Sequence, residues 1–365
     1  MRRITLIALG VTLCFTAVLS RGVTAKPAAA DLPAGKVNIV SAGRLAFGPD
    51  GILFVGDSVG GSIVAIETGD LTAARGAVKI DVQGIDQKIA ALVGVMPDQI
   101  VINDIKVNPI SKNAYISGAR GKGPDAMPLL VKVDAAGKLS VMSLDNAKHA
   151  SMSLSDAPAS NPAARQNPRT QTITDMSYVN GNLVVAGLSN EEWNSALRSI
   201  PYPFRATEKA ATLQIWHASH VRYETASPIR TFVPYTIGGQ QYVIAGYTCT
   251  PLVKIPVSSL KPGAQVKGVT IADLGSGNQP LDMVPYKKDG HEFILIANSK
   301  YGLLKLKADM LNGYAAIDSP TVVSDAAGVP FDRISQFTNV THLTQVDATS
   351  ALVLSGTNLQ TIALP

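Results

Sequence analysis

LAFGPDGILFVGDS, Leu45 to Ser58, is the stretch on which the fold turns. Two apolar, β-rich runs flank Pro49-Asp50-Gly51, and that combination reads as a hairpin. A third short apolar run, SIVAI, follows at Ser62. The same unit returns five times, so self-similarity rather than any single motif decides the architecture. The second copy is DIKVNPISKNAYISGAR from Asp104, followed by PLLVKV; the third is DMSYVNGNLVVAGLS from Asp175, with TLQIWHA after an insertion. The fourth is RTFVPYTIGGQQYVIAGYTCT from Arg230, then LVKI, and the fifth is DMVPYKKDGHEFILIANS from Asp282, then LLKL. The sixth is HLTQVDATSALVLSG from His342, then LQTIAL.

Copies begin roughly every 50 to 70 residues, which leaves room for a fourth, outer strand in each. Four-stranded sheets repeated radially make an all-β propeller and leave only short, protected edges. The repeats predict six blades over residues 37–365, with seven as the alternative count. KVNIV, Lys36 to Val40, is expected to pair with the last sheet and close the ring. Two stretches interrupt the pattern. Residues 135–172, rich in Ser, Ala, Asn and Pro, read as a surface excursion, and 190–211 read as a short helical insertion in the third blade.

Arg2 and Arg3 precede an apolar run from Ile4 to Leu19, and small residues follow at Val23-Thr24-Ala25, with Ala28-Ala29-Ala30 as a second cleavage option. This predicts a secretory signal peptide over 1–25, a flexible stretch over 26–36, and a periplasmic or secreted product. The apolar run is short for a membrane span of about 20 residues, and Leu13 before Cys14 does not suit lipoprotein processing. The whole chain carries a formal charge of +5; Arg2, Arg3 and Arg21 leave with the signal and no acid does, so +2 remains. Without a Lys/Arg cluster, that balance gives no support for binding nucleic acid or an anionic membrane. Cys249 is then the only mature cysteine, so a monomer of this size relies on its core rather than on an internal disulfide.

The two strands of each hairpin are antiparallel, so first-strand starts and second-strand ends lie at one edge. With the first strand innermost, Arg44, Asp104, Asp175, Arg230, Asp282 and His342 converge on one mouth of the central channel, beside Asp57, Arg120, Asn190, Cys249 and Ser299. Three acids, two arginines and a histidine suit a small ligand or a cation, and three carboxylates suit a hard cation such as Ca²⁺. The same residues would equally bond loop N–H groups and one another. Cys249 is either a small buried side chain or a thiolate able to take copper. His217 and His220, in WHASH, have a spacing that suits a metal only on a helix; as the end of a third strand they would sit on the turn side, away from the carboxylates. Glu191 and Glu192, beside Trp193, either cover the channel mouth or form the acidic first turn of a helix capped by Asn190. There is no Gly-x-Ser-x-Gly elbow, Walker loop, His-Glu-x-x-His or Cys-x-x-Cys-His in the chain.

GRLAFGPDGILFVGDSVGGSIVAI resembles the hairpin of NHL-repeat and gluconolactonase-like (regucalcin-like) propellers, and NDIKVNPISKNAYISG is similar to the Asn-Asp hairpin of the lactonase-like group. The resemblance implies a divalent cation, Ca or Zn, on the axis, with Asp104 (beside Asn103), Asp175 and Asp282 matching ligands of later blades. Gly43-Arg44 stands where that group has its first-blade Glu. Fold alone does not fix function. The expectation is therefore a channel that binds a small molecule or a protein partner, with a lactonase-like metal-dependent hydrolase as the alternative and a copper or redox protein using Cys249 as a second.

Overall fold

In the computed structural model the described residues are 32–205, 209–248, 250–321 and 326–365. The signal peptide expected over 1–25 and Cys249 both lie outside them. The described chain is a six-bladed β-propeller, six sheets around one axis that are antiparallel except where Gln265–Lys267 joins Ala211–His217 of blade 3 in parallel, with inner strands Leu45–Phe47, Ile100–Val107, Asp175–Val179, Ile229–Ile237, Pro280–Lys288 and Val340–Gln345. Blades are numbered here by the order of these strands. Second strands such as Ile52–Asp57 are buried along their whole length, because each blade packs a neighbour on both faces. This is why those runs read as continuously apolar rather than alternating.

Local chemistry makes the hairpins. Asn180-Gly181, Gly238-Gly239 and Asp289-Gly290 are two-residue turns with both residues at positive φ. That geometry matches the twist of the strands and needs Gly, Asn or Asp.

The blades do not follow one another round the ring in chain order. Inner strands pack in the sequence 1-3-4-5-6-2, so blade 2 lies between blade 6 and blade 1. Two exchanges of outer strands accompany this. After blade 1 the chain sends Asp81–Val82 to the outer edge of Asn358–Ala363 in blade 6, and Val82 pairs with Leu359. It then forms a helix, Ile85–Val93, and blade 2, and returns as Ala147–Ser153 to become the outer strand of blade 1. Core clusters follow the ring: Val82, Ile105, Ile116 and Val131 pack with Leu352 and Leu359 between blades 2 and 6.

Three expectations are corrected by this path. Closure comes from Asp81–Val82 rather than from Lys36–Val40; Val37 bonds Leu144, and Ala34–Gly35 pairs with Lys148 and Ala147 on blade 1. The stretch 135–172 is not one excursion, since it supplies Leu139–Val141 to blade 2 and Ala147–Ser153 to blade 1. The stretch 190–211 is not helical: Ser195–Pro201 is the third strand of blade 3, which makes Ala211–His217 the fourth. Ala196, Leu197 and Ile200 of that third strand are buried, on both of its faces. Among the described residues the α-helix at Ile85–Val93 stands alone, and no helix is long and apolar enough to cross a membrane.

Candidate functional site

Three carboxylates stitch alternate blade interfaces at one level of the channel. Asp104 Oδ2 accepts the Leu45 N–H of blade 1 at 2.8 Å, Asp175 Oδ2 that of Phe232 in blade 4 at 2.8 Å, and Asp282 Oδ2 that of Leu343 in blade 6 at 3.1 Å. In Asp104 and Asp175 the second oxygen accepts the N–H of the next residue. In Asp282 it accepts from Lys106 Nζ at 3.2 Å. A β-bulge falls at the start of four inner strands, between Ile102 and Asp104, Ile229 and Thr231, Pro280 and Asp282, and Val340 and His342. Such bulges re-aim side chains at a sheet end, here toward the axis.

Cations balance the acids. Lys106 Nζ also lies 3.7 Å from Asp104 Oδ1, and Arg44 approaches the same oxygen at 3.8 Å. Burial opposes charge on Asp104, but Lys106, Arg44 and His342, with the Leu45 N–H, outweigh it and hold the carboxyl below the usual range. Burial pushes Asp175 up to about 6, with Asp282 adding to it and Lys106 pulling the other way. Burial likewise works against the Lys106 ammonium, yet the three acids win and raise its pKa. Burial lowers His342, and burial plus the like charge of Arg44 lowers Arg230. Arg230 Nε is buried without a hydrogen-bond partner.

Six of the expected site residues, Arg44, Asp104, Asp175, Arg230, Asp282 and His342, thus meet at the channel. Of the others, those among the described residues do not join them. Asp57 caps a loop, accepting from Val40 N, Ser41 N and Gly60 N. Arg120 points its Nη2 at Met127 Sδ, 3.2 Å away, on the wall of a 920 Å³ groove along the edge of blade 2. Glu191 pairs with Lys209 at 3.3 Å on the surface of blade 3. Lys106 was not among the expected residues. It stands two positions after Asp104 on one strand, and the period-two alternation would have found it. On the turn side the channel opens as a cavity of about 260 Å³ whose lining includes Lys106, Asp175, Asp282, Ser177 and Thr344. Larger hollows lie on the outside of the ring, so size does not mark the channel.

Asp104, Asp175 and Asp282 do not form a three-ligand group; among the described residues that arrangement occurs at His217, His220 and Glu224, whose ligand atoms lie within 4.8 Å of one another. Strand order places this group. Blade 3 leaves the mouth along Asp175–Val179, returns along Asn182–Leu188, leaves along Ser195–Pro201 and returns along Ala211–His217. His217 therefore ends a fourth strand on the mouth side, not a third strand on the turn side. Glu224 comes from Arg222–Glu224, which pairs His217 with Arg222 and Ile215 with Glu224. The sequence signal for it was the alternation in Arg222-Tyr223-Glu224, which sets both charges on the face of His217.

The geometry defines a six-bladed β-propeller with a charge-balanced channel and a separate His/Glu group in blade 3. No protein-family model and no curated protein matches the chain. Among solved structures, a structural-genomics protein of unknown function from Bacteroides thetaiotaomicron is 10% identical, with a TM-score of 0.32 over 90% of this chain and 72% of that one. The PQQ-bound form of an aldose sugar dehydrogenase from Streptomyces coelicolor is 11% identical, with a TM-score of 0.34 over 90% and 96%. At these scores neither likeness carries an argument about activity.

Proposed function

We propose that this protein is an exported propeller that binds a small anionic molecule at the strand-start mouth of its channel, with Arg230 and Arg44 as the receiving groups. The observation that carries the reading is the Arg230 guanidinium, half-buried beside Arg44 with its buried Nε unpartnered. An unsatisfied buried donor costs about 1–3 kcal/mol, more when charged, so its retention fits a ligand that completes it. A carboxylate matches the planar fork of arginine with two parallel hydrogen bonds. His342, its pKa lowered, adds a neutral ring able to bond a hydroxyl nearby. Of the carboxylates below, Asp104 and Asp282 are paired with Arg44 and Lys106, which limits their repulsion of such a ligand. The same ammonium argues against the lactonase-like reading, since a divalent cation held by Asp104 and Asp282 would have to displace Lys106.

Thermal shift and calorimetry with small carboxylates, sugar acids and phosphate test this. One class should raise the melting temperature of the wild type, and Arg230→Ala should bind it at least about tenfold more weakly, a loss of about 1.4 kcal/mol. Without ligand, Arg230→Ala should be as stable as wild type or more so. Wild-type protein that ignores the whole panel, or a variant that keeps full affinity, defeats the reading and turns attention to a protein partner.

A further inference from the structure

The hairpin at the outer edge of blade 3 carries a buried histidine with a nitrogen that nothing in the fold uses. His217 is 1% exposed, and its Nε2 has no hydrogen-bond partner. Its Nδ1 lies 2.9 Å from Glu224 Oε2, and the Nδ1 of His220 lies 2.8 Å from Oε1 of the same carboxylate. An ionised carboxylate only accepts, so in this arrangement both rings give it their Nδ1 protons. Burial opposes charge on Glu224, but His217, His220 and Arg222 outweigh it and hold the carboxyl far below the usual range. The two imidazoles lie close together, with centroids 3.8 Å apart and planes tilted by 36°.

We propose that His217, His220 and Glu224 form a binding site for a zinc-class divalent metal ion, distinct from the channel. Three features support it together. One ligand atom from each side chain falls within 4.8 Å of the others, and small side-chain rotations would bring them to the about 3.4 Å that tetrahedral zinc requires of ligands at about 2.0–2.2 Å. The donor set, two imidazoles and one carboxylate, suits zinc better than calcium, which takes six to eight oxygens. The scaffold also presents it at a cost. Val221, β-branched, sits at φ 54° in the turn that swings His220 back over His217. Left-handed geometry at such a residue stores strain, and the surroundings must over-determine it. Trp216 and Thr270 help do so, since Thr270 Oγ1 donates to the Trp216 carbonyl at 2.6 Å.

Arg222 is the competitor in the metal-free form. Its Nε donates to Glu224 Oε1 at 2.9 Å, but the side chain is 67% exposed and can withdraw into water. Metal binding exchanges that ion pair for a coordinate bond, and a ring that coordinates through Nδ1 carries its proton on Nε2 instead. With three protein ligands, a fourth position remains for water or a small ligand.

The test uses the exported protein stripped with chelator and then titrated with zinc chloride in the calorimeter. One zinc per chain is expected, with a chelator-sensitive rise in melting temperature. Cobalt in place of zinc should give the visible absorption of a four-coordinate centre. His220→Ala and Glu224→Gln should each weaken zinc at least about tenfold, whereas Arg222→Ala should tighten it. His220 is 40% exposed, so its removal leaves the fold intact. No stoichiometric zinc on the wild type, or zinc bound equally well by His220→Ala and Glu224→Gln, overturns the proposal.

Discussion

The channel and the outer hairpin of blade 3 both bury carboxylates among cationic and ring nitrogens, but they bond them to different things. Asp104, Asp175 and Asp282 each accept a main-chain N–H from the adjoining blade. Among the described residues Glu224 accepts only from side chains: His217, His220, Arg222 and Ser227. A main-chain partner cannot leave without the blade moving, whereas a side-chain partner changes rotamer. The first arrangement is therefore architecture, and the second can be exchanged for a ligand. Where a buried acid finds its hydrogen bonds separates the two more clearly than its burial does.

The largest expected effect is at the channel. Asp104→Ala leaves the Leu45 N–H unpaired, removes the nearest anion from Arg44 and deprives Lys106 of one of its partners. Breaking a buried pair from one side costs about 3–5 kcal/mol. Urea unfolding should register that loss at neutral pH. If Asp104→Ala costs no more than Glu224→Gln, the distinction between the two regions collapses.

The second prediction is a slope. Asp175 holds its proton up to about pH 6 in the folded protein, above its ordinary 3.8, because burial and Asp282 outweigh Lys106. The folded state therefore binds the proton more tightly than the unfolded chain, and ionisation removes stability as pH rises from about 4 to about 6. Asp104 runs oppositely, its contribution present at neutral pH and lost as pH falls through its depressed folded pKa. Asp175→Asn isolates one of the two. Its stability relative to wild type should improve by about 2–3 kcal/mol between pH 4 and pH 6 and then stay level. A difference that is flat over that window would mean Asp175 is ionised throughout.

The hairpins and their number were legible because their strands and turns are local: Asn180-Gly181 between two apolar runs specifies its own geometry. The inner mouth followed from the hairpins, which is why Arg44, Asp104, Asp175, Arg230, Asp282 and His342 could be grouped. Outer strands were not legible, since Asp81–Val82 and Ala147–Ser153 are short or polar and take their structure from an edge elsewhere in the chain. The unusual ring order follows from the same two exchanges, and nothing in a local window encodes it. His217 was placed on the wrong side for a related reason. Ser195–Pro201 reads as an insertion beside Asn190-Glu191-Glu192, and omitting one strand from a meander reverses the direction of the next.

A smaller effect is expected at Glu224 in metal-free protein. Glu224→Gln keeps an acceptor and the shape of the side chain but loses the charge, so His217, His220 and Arg222 share a weaker partner. A loss of about 1–2 kcal/mol is expected, below that at Asp104. A melting curve recorded in chelator checks the order of the two.

The smallest stability change, and the sharpest division between the regions, belongs to Arg222. Its side chain is 67% exposed, so Arg222→Ala should alter stability in chelator by no more than about 0.5 kcal/mol. Were the hairpin only a structural ion-pair network, removing a member would weaken it slightly and affect nothing else. As a metal site it should gain, because the cation that competes for Glu224 Oε1 is gone. Zinc affinity that rises in Arg222→Ala while stability in chelator stays level would mark Glu224 as an exchangeable acid. No arginine of the channel should behave in this way toward zinc: removing Arg44 leaves Asp104 Oδ1 with the Ile105 N–H and Lys106, and its Oδ2 with the Leu45 N–H.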